Sequence, residues 1–329
     1  MAKRTRYELG FNWSDGRDHA FTKALQSAAR RRRIRVIRVP KGHDDRIRRR
    51  VDVGQIEVGL FLNTMADATN MQGPSMLLCR SLKSKGTLVV EDPDDAPVYG
   101  DRELQFGYLR RAGIPVPRQF VVEGWRPRRR VLNRTDRAKL GKTWMAQPAF
   151  GADRRRILVS SAPAVSSVLA RAKFPRRKRV LVASYPKPAS LDDVELRLLV
   201  WYLFGHIVPC WYRKGRHAPE MIDGHAVEYA WLPRLATTTR KLSEITGLDW
   251  FVAGMVVTDL RSHGKLLVVE PPNALAGLGP GVASAQWVPS DIAQIAAERI
   301  AEIAWRHGRQ LPLTDGGSLV FRQSSLSYD

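Results

Sequence analysis

Several short motifs in this chain resemble sequences that bind phosphates, dinucleotides or metals. Each motif lacks a residue that the binding requires. Gly141-Lys142-Thr143 has the ending of a phosphate-binding loop, but that loop needs a further glycine where Asp136 stands. Gly277 and Gly279 would need a third glycine in place of Val282 to form a dinucleotide-binding fingerprint. The histidines lack metalloprotease spacing, and 2 cysteines are too few for a structural zinc site. The sequence therefore excludes these simple nucleotide-loop and zinc classes.

The composition is that of a folded and strongly basic chain. Its 329 residues are 44% hydrophobic, which is enough to bury cores and favours two or three packed units. Lys and Arg number 54 against 32 Asp and Glu, and the formal net charge of +22 attracts polyanions or acidic proteins. Runs such as Arg30 to Arg33 and Arg46 to Arg50 are also typical of solvated surfaces, so a basic surface without a partner remains an alternative.

The cysteine content and the apolar runs bear on the compartment. Cys79 and Cys210 cannot form a disulfide framework, and they favour a reducing compartment, so we predict a cytoplasmic location. No apolar segment follows the basic residues 1–6, which argues against a signal peptide. A membrane span needs roughly 18 apolar residues, and the sequence contains no such stretch, so no membrane partner is expected.

Alternating strand and helix patterns predict several packed units. Strand patterns at 35–39, 56–62 and 87–90 lie between helical patterns, which predicts a parallel α/β layer. The acidic, proline-containing stretch at 91–100 is interpreted as a linker, and Gly205-His206 as a tight hairpin turn. The predicted units are an N-terminal α/β layer, a small subdomain, a larger antiparallel subdomain and a tail, at residues 1–97, 98–183, 184–310 and 311–329.

A series of short segments follows in a defined order from residue 101 to residue 281. Asp101-Arg102 comes first, then the segment 112–117 (AGIPVP), then 145–151 (MAQPAFG) and 180–185 (VLVASY). Glu195-Leu196-Arg197, Arg213, Glu270-Pro271-Pro272-Asn273 and Gly279-Pro280-Gly281 complete the series. In order and spacing these segments resemble the ATP-grasp ligases, in the branch of ribosomal-protein glutamate ligase, D-alanine–D-alanine ligase and glutathione synthetase.

The resemblance implies an α/β fold, α+β in the ATP-grasp part, with ATP and Mg²⁺ bound between the small and the large subdomain. In that family ATP phosphorylates a carboxylate, and an amine then attacks the acyl phosphate. By resemblance, the ATP-binding residues are Arg102, Gln147, Gly151, Arg154, Arg155, Arg156, Ser184, Tyr185 and Glu195. The resemblance likewise implies Asp259, Glu270 and Asn273 as the Mg²⁺ ligands, and Arg197 and Arg213 as the catalytic residues.

The chain departs from the family pattern where charge matters most. Gln147 stands at a family lysine, and Asn273 lies one residue too far from Glu270. Arg154 to Arg156 offer replacement cations, because arginine binds phosphate bidentately. The leading hypothesis is therefore an ATP- and Mg²⁺-dependent carboxylate–amine ligase whose basic surface suits an acidic peptide or protein substrate.

Two alternatives remain open. In the first, the fold persists without the reaction, and the chain binds an acidic partner while Arg154 to Arg156 form a solvated loop. In the second, the chain associates with nucleic acid, for which the sequence offers charge but no recognition motif. Acceptor-dependent ADP release would favour the ligase. An affinity for DNA or RNA that falls steeply with salt concentration, without nucleotide turnover, would favour the nucleic-acid alternative.

Overall fold

The computed structural model contains three β-sheets that follow one another along the chain. It describes residues 4–13, 19–64, 70–95, 100–123, 132–150, 157–159, 164–174, 178–191, 194–213, 219–223, 229–260, 265–274, 290–312 and 319–320. The strands are β1 Thr5–Trp13, β2 Val36–Pro40, β3 Ile56–Leu62, β4 Leu88–Val90, β5 Gln119–Val122, β6 Trp144–Pro148, β7 Ile157–Val159, β8 Val180–Ser184, β9 Ser190–Leu191, β10 Val194–Leu203, β11 His206–Arg213, β12 Glu220–Met221, β13 Trp250–Val257 and β14 Leu266–Ala274. The helices are α1 His19–Arg31, α2 Asp44–Asp52, α3 Pro74–Ser84, α4 Arg102–Arg111, α5 Arg134–Leu140, α6 Val165–Arg171, α7 Leu232–Thr246 and α8 Ser290–Gly308. None of these described helices is both long and apolar enough to cross a bilayer.

The first sheet is fully parallel, which confirms the predicted α/β layer. Its strand order is β2-β1-β3-β4, so β1 lies in the interior of the sheet between β2 and β3. The sequence patterns did not predict this strand, although Leu9 and Phe11 lie in the core. Helices α2 and α3 pack on one face, and α1 packs on the other face together with α8 from the far end of the chain.

The second sheet is small and antiparallel, with the order β5-β8-β6-β7. Strand β7 pairs with β6. One face packs against α5 and α6 through an apolar cluster that includes Trp144, Ala146, Val180 and Val182. Because side chains alternate along a strand, residues 145, 147, 181 and 183 lie on the other face.

The third sheet is antiparallel, with the order β12-β11-β10-β13-β14 and with β9 paired to β10. Helices α4 and α7 cover one face, where Leu198, Met255 and Val268 are buried. Part of the other face packs against α1 and α8 through Trp201 and Trp250. The third sheet therefore contributes to two cores, one on each face.

The turn between β10 and β11 lies one residue earlier than the sequence predicts. The residues at the turn are Phe204 and Gly205, with φ angles of 48° and 89°, and His206 already pairs with Leu203. Two consecutive positive φ angles are those of the tight hairpin turn that matches strand twist. The buried Arg299 of α8 holds the strained residue, because its Nε and Nη2 donate to Phe204 O at 3.1 and 2.7 Å.

His206 should make the stability of the fold depend on pH near neutrality. Burial lowers the pKa of this imidazole, and Arg299 nearby lowers it further. The folded chain then binds fewer protons than the unfolded chain. The stability contributed by neutral His206 is therefore fully present above pH of about 6.5, and it is lost as the pH falls through the lower pKa of the folded state. We expect urea midpoints measured between pH 7 and pH 5 to fall more steeply for the wild type than for His206→Gln. Parallel profiles for the two proteins would contradict this assignment.

Candidate functional site

The face of the small sheet opposite α5 and α6 carries buried polar groups. Gln147 is 7% exposed, lies on β6 and pairs with Leu181 of β8. Among the described residues its Nε2 has no hydrogen-bond partner. Gln119, on β5, lies on the same face and also has a buried Nε2 without a partner in the described part of the chain. A buried donor without a partner is costly, so this face is suited to a ligand that supplies hydrogen-bond acceptors.

Tyr185 lies where this face of the small sheet meets the third sheet. It follows β8 and is buried, and its hydroxyl lacks a hydrogen-bond partner within the described ranges. The guanidinium carbon of Arg197, on β10, lies 5.8 Å from the centre of the Tyr185 ring. Ser184 differs, because its hydroxyl accepts a hydrogen bond from Arg118 N at 3.2 Å. The structure therefore brings Tyr185 and Arg197 together, while the Ser184 hydroxyl is engaged within the small sheet.

Glu270 shares the sheet face of Arg197. It pairs with Gly254 on β13, and Gly254 and Val256 alternate with residues that face α7. Val256 in turn pairs with Arg197. A Cβ built on Gly254 would lie 2.8 Å from Glu270 Cβ and Cγ and 2.9 Å from Cδ, so the Glu270 side chain lies directly across the glycine. Gly254 pairs with Leu199 on β10, so the half-buried Glu270 lies two strands over from β10 and two residues along the sheet from Arg197.

Two irregularities in β14 flank Glu270 and change its spacing to Asn273. The pairing shifts between Met255 and Gly254, and again between Gly254 and Val252, which pairs with Asn273. In the second shift, three steps along β14 match two steps along β13, which is the geometry of a β-bulge. The bulge accommodates the additional residue that stands between Glu270 and Asn273. The backbone of Asn273 therefore returns to the register position that an E-x-N sequence would occupy in a regular strand.

Helix α4 connects the small sheet to the third sheet. The N–H of Arg102 donates to Ala149 O at 2.9 Å, and Arg102 Nη1 donates to Pro148 O at 2.8 Å. One turn later, Gln105 Nε2 donates to Pro272 O at 2.6 Å. Arg102 is buried at the end of β6, so its described contacts are to the backbone of the small sheet. Its guanidinium donates there to the carbonyl of Pro148.

The structure separates other predicted site residues from this cluster. Asp259 lies past the end of β13, where its carbonyl accepts from Lys265 N, and five residues of extended chain put it roughly 16 Å from Gly254. It therefore does not lie beside Glu270. Glu195 is exposed and pairs with Ser190 at the start of β10. Arg213 ends β11, with its backbone paired to Val194. The predicted residues Gly151 and Arg154, Arg155 and Arg156 lie outside the described residues.

Two residues of this region were not anticipated from the sequence. Gly254 had a usable signal, because a lone glycine inside a strand pattern often marks a close approach by another group. Gln105 had none, since it is one polar residue in a helix and its partner is 167 residues away. The first could have been found by its strand context, and the second only by the fold.

A side chain at position 254 should displace Glu270. We expect Gly254→Ala to lower the free energy of unfolding by about 1–3 kcal/mol, because the new methyl group overlaps the stem of Glu270. Gly107→Ala is the matched control. A Cβ there meets only Arg111 Nη2 at 3.9 Å, and alanine in a helix interior should stabilise by about 1 kcal/mol. Chemical denaturation of both variants tests this, and equal shifts in the two would contradict it.

Solved structures provide the comparison for this arrangement. The chain is similar to D-alanine–D-alanine ligase from Bacillus anthracis complexed with ATP, at 13% identity and a TM-score of 0.64, covering 93% of this chain and 97% of that one. It is similar to a RimK domain ATP-grasp protein from Sphaerobacter thermophilus, at 17% identity and a TM-score of 0.57, covering 90% and 99%. It is also similar to the macrocyclase MdnC from Microcystis aeruginosa bound with precursor peptide MdnA, at 11% and 0.57, covering 91% and 100%.

Sequence comparison adds no further relative. No family model matches the chain, and no curated protein matches it. Identities of 11% to 17% establish a shared fold and leave activity to be argued from the residues.

Proposed function

Because this chain has the ATP-grasp fold, we propose that it is an ATP- and Mg²⁺-dependent carboxylate–amine ligase. The observation that carries the proposal is the position of Glu270, whose side chain lies across Gly254 on the sheet face of Arg197. The bulge that returns the Asn273 backbone to register with Glu270 supports it further.

The described residues suit a nucleotide that is held largely by uncharged donors. The Nε2 of Gln147 and the hydroxyl of Tyr185 are buried and lack partners within the described chain, as a ligand with acceptor atoms would require. Arg197 supplies positive charge beside Tyr185. A nucleotide presents hydrogen-bond acceptors on its base and phosphates. We therefore assign Gln147, Tyr185 and Arg197 to nucleotide binding, with Gly151 and the arginines at 154–156 as further candidates from the sequence.

Of the carboxylates predicted to bind Mg²⁺, Glu270 is placed to do so and Asp259 is not. Mg²⁺ is usually bound by one or two carboxylates together with substrate phosphates and water. Glu270 fits that requirement, and the backbone of Asn273 lies two register positions from it, whereas Asp259 is too far along β13 to share the ion. Within the described ranges no group of three His, Cys, Asp or Glu side chains is arranged to hold a metal ion. When bound, the ion would neutralise charge on the phosphates, and Glu270 would orient it.

The proposed reaction proceeds in two balanced steps. A substrate carboxylate oxygen attacks the γ-phosphorus of ATP, the bond to the β-phosphate oxygen breaks, and an acyl phosphate and ADP result. An amine then attacks the acyl carbon, phosphate leaves with the bonding electrons, and the amine loses a proton as the amide forms. Such reactions depend mainly on positioning and on stabilising negative charge. Arg197 is suited to that task here, and Arg213 is a second candidate from the sequence.

We further propose that an acidic peptide or protein supplies the substrate. The net charge of +22 attracts such a partner, and Arg46, Arg49 and Arg50 are exposed on α2. Among the similar structures, MdnC was solved with a precursor peptide, and the ATP-grasp ligase PsnB was solved with a minimal precursor. A polyglutamate peptide and a DNA oligonucleotide, compared at equal ionic strength, separate this proposal from the nucleic-acid alternative.

Calorimetry with ATP, with and without Mg²⁺, tests the ligase proposal directly. Micromolar binding that requires Mg²⁺, followed by ADP release that depends on an amine acceptor, is the expected result. Absence of binding to any adenine nucleotide would refute the enzyme assignment. In that case the chain would be an ATP-grasp-shaped binding protein, to be pursued through its acidic partners.

A further inference from the structure

Two hydrogen bonds hold β14 from outside the sheet, one on each side of Glu270. Strand β14 lies at the end of the strand order, next to β13. Val268 N donates to Pro115 O at 3.0 Å, in the loop after α4. Gln105 Nε2, on α4 itself, donates to Pro272 O at 2.6 Å. Residues 268 and 272 bracket Glu270, so α4 and its loop fix the strand two residues before and two residues after the carboxylate.

The bond at Pro272 matters because the strand is weak there. Pro271 and Pro272 have no backbone N–H, so this segment lacks two of the donors that hold a strand in place. The same segment contains the bulge between the pairs Glu270–Gly254 and Asn273–Val252. Gln105 is 1% exposed, and Pro272 is buried. A buried carbonyl that loses its donor is unfavourable, and the strand would shift to recover a partner.

A shift of β14 would move Glu270. The Glu270 side chain lies across Gly254 with no free space, so its carboxylate position depends directly on the register between β13 and β14. Helix α4 is held at its other end by Arg102, through Pro148 O and Ala149 O next to Gln147. The helix therefore contacts β6, which bears Gln147, and β14, which bears Glu270.

We propose that Gln105 is a positioning residue, which sets the place of Glu270 by holding β14 at Pro272. The inference rests on the proposed function, because it treats Glu270 as the ligand for a nucleotide-bound Mg²⁺. Gln105 contacts neither the ion nor the nucleotide in this account. It acts through the strand, and its effect should appear in the metal dependence of binding.

Gln105→Met removes the donor and keeps the side-chain size. Calorimetry with the ATP analogue AMP-PNP, titrated at several Mg²⁺ concentrations, should show a half-saturating Mg²⁺ concentration about tenfold higher than in the wild type. Affinity for AMP-PNP without Mg²⁺ should stay unchanged. In the background of Glu270→Gln, Q105M should add nothing, because the residue through which it acts is gone.

Thr87→Val is the matched control. It also removes a buried donor to a backbone carbonyl, since Thr87 Oγ1 donates to Val58 O at 2.8 Å in the first sheet. It should destabilise the fold without changing the Mg²⁺ requirement. A wild-type Mg²⁺ requirement in Q105M, or an equal shift on the E270Q background, would overturn the proposal. Gln105→Leu, which also lacks the amide donor and carries no charge, replaces Q105M if the methionine variant does not fold.

Hydrogen exchange separates this inference from the proposed function. If the wild type binds no AMP-PNP at any Mg²⁺ concentration, the ligase proposal fails, but the positioning claim can still be decided. Q105M should then speed amide exchange in residues 266–270 and leave β10 unchanged. Unchanged exchange in β14 would overturn the positioning role whatever the outcome with nucleotide.

Discussion

Glu270→Gln is expected to lower the rate of ADP formation by on the order of 10²- to 10³-fold, because metal stabilisation of charge contributes several kcal/mol to such reactions. Glutamine has nearly the same size, so the side chain still lies across Gly254 and the fold should be retained. The loss of one negative charge weakens the hold on Mg²⁺. Initial rates of ADP release measured over a range of Mg²⁺ concentrations should therefore show a higher requirement as well as a lower maximum.

Glu244→Gln is the control for that measurement. It makes the same change on an exposed position of α7, on the other face of the third sheet, and should leave the rate within error of the wild type. Rates that fall equally in both variants would point to a general loss of charge. A wild-type rate in E270Q would remove Glu270 from the site and with it the main support for the ligase proposal.

Arg299→Met should strongly destabilise the fold at a position outside the site. The guanidinium is 4% exposed, donates twice to Phe204 O and pairs with Glu302 through Nη1 at 2.9 Å. Methionine fills the volume but leaves the carbonyl of a residue with positive φ without its donors. We expect a loss of about 2–4 kcal/mol in the free energy of unfolding, measured by urea denaturation at pH 7.5.

Arg306→Met separates the effect of burial from the effect of charge. Arg306 also pairs with Glu302, at 3.0 Å, but it is more exposed, so its loss should cost about 0–1 kcal/mol.

Burial raises the pKa of Glu302, but its bonds to Arg299 and Arg306 outweigh this and lower the pKa overall. The stability from that carboxylate is present above its unfolded pKa and lost on acidification. The deficit of R299M should therefore shrink below pH of about 4. A constant deficit would assign the effect to Phe204 O alone.

The parts of the fold that sequence patterns predicted are those stabilised by local interactions. The parallel arrangement of β3 and β4 followed from apolar runs close together in the chain. Strand β1 escaped prediction because its pairing with β2 and β3 is what defines it. Helix α2 was interpreted as a charge run, since Arg46, Arg49 and Arg50 obscure the apolar period of its buried side.

The same distinction applies to the site and to the hairpin turn. The order of motifs indicated Gln147, Tyr185 and Glu270, because those residues stand in recognisable segments. The turn at Phe204 was displaced by one residue, since its donor Arg299 lies 95 residues further along the chain. Gln105 and the spacing of Asn273 depend on contacts across elements, which no local pattern contains.

The place of α8 has a consequence for the timing of folding during synthesis. This helix, at Ser290–Gly308, completes the core between α1 and the first sheet, whose last strand ends at Val90. About 200 residues separate Val90 from Ser290, the first residue of α8. At ribosomal speeds the apolar face of the first sheet is therefore complete roughly 10–40 s before α8 is synthesised. During that interval Leu25, Leu60 and Leu62 depend on a chaperone or on transient contacts for protection. Nascent chains arrested before residue 290 should therefore bind ribosome-associated chaperones, and chains extended past α8 should release these chaperones.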